Sequence, residues 1–200
     1  MNQVVINDSF SVKWLWFQRP VQILQANRIT EVLPVLQQVQ DKVDSEQYWA
    51  AGFISYEAAP AFDTVLKVRS IQEFPLAWFG LFDPPEPIDL PSSAPQEIAL
   101  QGWQPSVSRE QYDAAIQQIK DHIALGNTYQ VNYTMRLNTP FQGDAWELFL
   151  RLAQAQRAQY AAFVDTGQFA LCSASPELFF ILDGEKLVSK PMKGTAARGL

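Results

Sequence analysis

Lys193 stands in loop-forming sequence, behind Pro191 and ahead of Gly194 and Thr195. The proline stiffens the approach, and the glycine lets main chain come close to a ligand. Thr195 offers a hydroxyl two residues on. A lysine attacks an electrophile only as the free amine, and an ordinary pKa of about 10.4 keeps it protonated at neutral pH. A catalytic lysine therefore needs desolvation or a neighbouring cation to shed its proton. Lys190 and Arg198 are the nearest basic residues in sequence. Without such help the residue is a solvated turn lysine. The order Lys-Gly-Thr lacks the GxxxxGK(S/T) spacing of a phosphate loop, so a nucleotide is the poorer match.

The second group lies at 128–138, where Tyr129, Val131, Tyr133, Met135 and Leu137 alternate with Gln130, Asn132, Thr134 and Arg136. A period of two predicts a strand. Its polar face, uncharged or cationic, suits an anionic ligand, with Gln130 and Asn132 as binding candidates; the same pattern also describes an ordinary sheet with one wet face. His122 falls on a helix flank, where packing is the commoner role for a lone histidine. Cys172 falls in a predicted strand as a small apolar residue. Glu57 and Glu177 adjoin apolar strands, where each could pair with an arginine or end a strand. The six tryptophans read as core mass.

These groups need a frame. Ser108 with Gln111 forms a capping box ahead of the apolar stripe Tyr112, Ala115, Ile116, Ile119 and Ile123, and Gly126-Asn127 stops that helix. A helix is predicted over 29–43 from Val32, Val35, Leu36, Val39 and Val43, and another from Asp144 to about Ala158. Strands are predicted at 12–17, 48–56, 76–82, 160–164, 169–173, 178–182 and 186–189, the last two joined at Asp183-Gly184. Five prolines between 83 and 96 mark a seam that neither a helix nor a central strand can cross. The expected organisation is an N-terminal lobe over 1–83, a proline-rich linker over 84–101 and a second lobe over 102–200.

Composition excludes several classes. With 48% hydrophobic residues the chain buries a core, which removes disorder. A net charge of −6 argues against nucleic acid, whose phosphates need a basic face. One cysteine and one histidine leave no disulfide framework and no Cys- or His-rich metal site. The first eight residues carry no basic n-region, and no run approaches the roughly 18 apolar residues of a membrane helix. A soluble, cytoplasmic protein without membrane partners is expected. Leu200 follows loop sequence with no element to close it, which reads as the N-terminal part of a longer protein.

Four stretches together resemble the chorismate-utilising enzyme family: GFISYEAAPAFD at 52–63, GNTYQVNYT at 126–134, SASPELF at 173–179, and the loop 190–199. The resemblance implies an α+β fold of antiparallel sheets flanked by helices, like the anthranilate synthase component I sandwich. In it 102–200 would be the first part of the chorismate-binding domain. Family members that form anthranilate typically carry alanine at the position of Lys193, whereas the Pro-x-Lys-Gly-Thr form is similar to the aminodeoxychorismate-forming branch. There the lysine is understood to attack carbon 2 of chorismate, after which ammonia enters at carbon 4. The resemblance thus implies Lys193 and Thr195 as catalytic residues, with Gly194, Gln130 and Asn132 binding substrate. Members that add water place a lysine base at the position of Gln130, and glutamine cannot serve as one. Magnesium is the implied cofactor and a glutamine amidotransferase supplying ammonia the implied partner. The family's metal-binding glutamates and general acid are expected in a second half, and the 200 residues alone are expected to be inactive. The alternatives are an anthranilate-forming enzyme and a non-catalytic lobe that binds an effector or docks a subunit.

Overall fold

A computed structural model describes residues 2–8, 13–69, 73–92, 99–100, 102–192 and 194. In chain order the elements begin with β1 (Gln3–Asp8), β2 (Lys13–Gln18), β3 (Gln22–Ala26), α1 (Ile29–Glu46) and β4 (Trp49–Ile54). A 3-10 helix (Tyr56–Ala61), β5 (Ala77–Phe82), β6 (Glu86–Ile88), β7 (Ala99–Leu100), β8 (Gln104–Pro105) and α2 (Arg109–Ala124) follow. The rest are β9 (Leu137–Asn138), β10 (Phe141–Gln142), α3 (Ala145–Gln156), β11 (Tyr160–Asp165), β12 (Ala170–Ser175), β13 (Leu178–Asp183) and β14 (Lys186–Lys190). Every strand pair among the described residues is antiparallel, and the fold is α+β. The chain divides into two compact units, Met1–Ala94 with Ala145–Leu200, and Pro95–Asp144.

The first unit is a sandwich. One sheet has the order β12-β11-β1-β2-β6, and the other runs β3-β5-β4. Successive strand residues point to opposite faces, so adjacent buried residues reveal a sheet covered on both sides. Val4 joins Phe17, Ala51, Trp78, Phe82 and Val164 between the sheets, whereas Val5 packs with Phe149, Leu150 and Phe163 under α3. On the other side, Val32, Val35 and Val39 of α1 cover Leu24, Ala77 and Leu81. The α1 stripe is thus the one its spacing predicts. β6 falls within the proline-rich stretch and lies at a sheet edge, where a proline leaves no central ladder bond unmade.

Two local features carry predictions. A Cβ built on Gly52 lies 2.0 Å from the carbonyl oxygen of Trp78 on the neighbouring strand, so only glycine lets β4 and β5 approach this closely. Gly52→Ala should therefore destabilise the protein by about 1–3 kcal/mol in denaturant unfolding, as overpacking does. At the start of α1, the Glu31 carboxylate accepts from the Arg28 guanidinium at 2.7 Å and from the backbone N–H groups of Asn27 and Arg28 at 3.0 Å each. These donors, the guanidinium first, hold its carboxyl below the usual carboxylate range. A lowered folded-state pKa means stability that is complete above the ordinary carboxylate pKa and lost as pH falls through the lowered value. Glu31→Gln should flatten that part of the acid unfolding curve, followed by circular dichroism.

The second unit corrects one expectation. Of the strand predicted over 128–138, only Leu137–Asn138 forms one, paired with Gln104–Pro105. A strand exists through the partner that takes its N–H and C=O groups, and among the described residues no strand pairs with 128–136. The apolar set of the alternation accordingly stays partly exposed, Tyr129 at 91% and Met135 at 48%. α2 begins as predicted: Ser108 Oγ accepts the Gln111 N–H at 3.2 Å, and Gln111 Oε1 accepts the Ser108 N–H at 2.8 Å. Tyr112, Ala115, Ile116 and Ile119 form its half-buried side. Among the described residues no helix is long and apolar enough to cross a membrane.

Candidate functional site

Glu177 lies in the turn that follows β12, and Lys190 ends the hairpin that comes next. β13 and β14 pair from Asp183–Lys186 down to Leu178–Lys190, with an irregularity between Leu178 and Ile181. The two loop residues are Gly184 and Glu185, one residue later than Asp183-Gly184 suggested; Gly184 takes φ +59°, which a side chain rarely adopts. Leu178 and Ile181 line a cavity of about 310 Å³ together with Ile6 and Leu15 of the large sheet. The Lys190 ammonium lies 6.0 Å from the centre of the Tyr160 ring, within cation–π range.

Past Lys190 the chain leaves the ladder toward Pro191 and Met192. The Met192 N–H donates to Glu177 Oε1 at 3.2 Å across fifteen residues of sequence. Glu177 is itself held by Ser175, whose Oγ accepts the Glu177 N–H at 3.2 Å and donates to the Glu177 carbonyl at 3.0 Å. From sequence, Glu177 falls in the SASPELF stretch beside an apolar strand, where it is expected to pair with an arginine or end the strand. The Ser-x-Glu turn was visible, but its partner appears only once the hairpin register is known.

Of the predicted site residues, Lys193 and Thr195 lie outside the described residues, as does Arg198. Gly194 is exposed, and a Cβ built there meets no atom of the described residues within 4 Å. Gln130 and Asn132 belong to the unit Pro95–Asp144, and both are exposed. Their segment is anchored locally. Thr128 Oγ1 donates to the Gln130 carbonyl at 3.0 Å, and Tyr133 packs edge-on against Tyr112 with centroids 5.6 Å apart. The Arg136 N–H donates to Ser106 Oγ at 3.0 Å, while the Ser106 N–H donates to the Arg136 carbonyl at 2.8 Å. Gly194 belongs to the other unit.

The remaining candidates have structural roles. His122 Nδ1 lies 3.1 Å from Asn127 Nδ2, and the His122 carbonyl accepts the Asn127 N–H, which finishes α2. Cys172 is half-buried, and its thiol donates to the Ala145 carbonyl at 3.3 Å. Trp78 is core, but Trp49 and Trp103 are about half exposed, at 48% and 55%. Among the described residues no three His, Cys, Asp or Glu side chains cluster. Those residues by themselves supply no magnesium site.

A family model described as chorismate binding enzyme matches residues 4–200. The chain is 38% identical over 107 residues to the aminodeoxychorismate synthase component 1 of Escherichia coli, a match covering 52% of this chain and 24% of that protein. It is 36% identical over 96 residues to the protein of that name from Klebsiella aerogenes, covering 48% of this chain and 21% of that one. The anthranilate synthase component 1 of Thermus thermophilus is 34% identical over 97 residues, covering 48% and 21%. Each match therefore spans less than a quarter of the relative's own length.

Proposed function

Because the chain belongs to the chorismate binding enzyme family, we propose that its gene product converts chorismate and ammonia to 4-amino-4-deoxychorismate, with Lys193 as nucleophile. The observation that carries this reading is the lysine in the sequence Pro191-x-Lys193-Gly194-Thr195, which by the resemblance stands where the anthranilate-forming members typically have alanine. The likeness to two proteins named aminodeoxychorismate synthase component 1 supports it.

The free amine of Lys193 bonds to carbon 2 of the ring, the ring double bonds shift, and the carbon-4 hydroxyl departs as water with a proton from an acid. Ammonia then bonds to carbon 4, the electrons return, and the carbon 2–nitrogen bond to the lysine breaks. Splitting one displacement into two lets each proceed through an allylic system that the nucleophile itself sets up. Thr195 is the hydroxyl proposed to orient the departing oxygen or the incoming ammonia, and Gln130 and Asn132 are proposed to hold substrate. Gln130 carries no base for adding water. Magnesium, a glutamine amidotransferase as the ammonia source and a cytoplasmic location complete the proposal.

The likeness to an anthranilate synthase component 1 favours a second reading, formation of ortho-aminobenzoate. Product analysis decides between them. With chorismate, magnesium and ammonium, the native protein should release 4-amino-4-deoxychorismate; ortho-aminobenzoate as the only product would select the second reading.

A further inference from the structure

We infer that His122 is a positioning residue for Gln130 and Asn132, acting through Asn127. The inference rests on the substrate-holding role proposed for those two side chains, but its geometry stands apart from that role. α2 is closed by Gly126 at φ +75°, a left-handed conformation that favours glycine. Around it the Gly126 N–H donates to the Ile123 carbonyl at 3.1 Å, and the Asn127 N–H to the His122 carbonyl at 3.0 Å. In such a glycine-terminated helix the two residues standing where His122 and Asn127 stand commonly touch through apolar side chains. Here both are polar, and they meet through Asn127 Nδ2 and His122 Nδ1, 3.1 Å apart. An amide nitrogen only donates, so the ring nitrogen accepts, and the imidazole is neutral with its proton on Nε2.

The segment after Asn127 runs back along α2. Asn127 is tied to His122 near the helix end, and Tyr133 packs on Tyr112 near its start. From 112 to 122 the helix rises about 15 Å. The chain from 127 to 133 can reach at most about 20 Å, so it has little slack between these attachments. Among the described residues no strand pairs with 128–136, so the attachments hold the segment where a ladder otherwise would. Thr128 carries the hold onward, its Oγ1 donating to the Gln130 carbonyl at 3.0 Å. The support therefore runs from α2 through His122 and Asn127 to the main chain that bears Gln130 and Asn132.

Two variants of the full gene product test this. His122→Phe keeps a ring beside Asn127 but offers no acceptor, whereas His122→Asn can place an amide oxygen where Nδ1 stands. In His122→Phe the Gly126 and Asn127 amides, followed by hydrogen–deuterium exchange at single-amide resolution, should exchange roughly fivefold faster, the scale of one net hydrogen bond. The KM for chorismate should rise by roughly the same factor with kcat unchanged, because residues that hold substrate throughout the reaction contribute uniform binding. His122→Asn should restore both values. Unchanged exchange in His122→Phe overturns the inference, as does a His122→Asn variant no better than His122→Phe. So does an unchanged KM in His122→Phe where Gln130→Ala and Asn132→Ala raise it. An unchanged KM in those two alanine variants would instead sink the substrate-holding reading, on which the exchange measurement does not depend.

Discussion

Replacing Lys193 by alanine is expected to lower aminodeoxychorismate formation by roughly a thousandfold or more, since under the proposed mechanism it removes the atom that forms the bond. Lys193→Arg separates the possible roles of that side chain. A guanidinium keeps the positive charge but stays protonated at any working pH, so it cannot attack. If Lys193 merely paired with a substrate carboxylate, arginine would restore much of the activity. As a nucleophile, it should be as inactive as alanine. Mass spectrometry supplies the direct observation. With ammonia withheld, a peptide containing Lys193 should gain the mass of chorismate less one water, and neither variant should. Full activity in Lys193→Arg, or no adduct under conditions that support turnover, would remove the proposed mechanism.

Trp78→Ala should cost about 3–5 kcal/mol of unfolding free energy, the usual range for deleting a large buried aromatic. Trp78 is 1% exposed and sits where the two sheets meet, in a cluster with Val4, Phe17, Phe82 and Val164. Phe53 lies nearly parallel to it, with ring centres 6.4 Å apart. Little can collapse into the space, because the neighbours come from strands of two sheets that are each fixed by their own ladders. A denaturant titration should show the loss as a lower midpoint with the slope retained. A change below about 1 kcal/mol would mean that the sheets are not held together there.

What could be read from sequence was local. The Ser108–Gln111 capping box, the valine stripe of α1 and the Gly126-Asn127 stop of α2 all depend on residues within a few positions of one another. Each recurs in the structure. Chorismate chemistry came instead from the resemblance of four stretches to a known family, which the family match bears out. β1 was missed for a physical reason: Val4 and Val5 are buried on opposite faces, so the strand lacks the alternation that marks a half-exposed one.

Residues 128–138 show the converse. They carry the alternation almost perfectly, yet a strand is made by its partner, and pairing is a property of the whole chain. Which strands share a sheet, with β1 and β2 beside β11 and β12, was decided by tertiary structure alone. So was the contact between Glu177 and Met192, which exists because the hairpin register places them side by side. Sequence by itself determined the helices and the turns, since those rest on short-range sterics and residue type. Strand partners and the Glu177–Met192 contact came from burial and hydrogen bonding between distant segments, which no local pattern encodes.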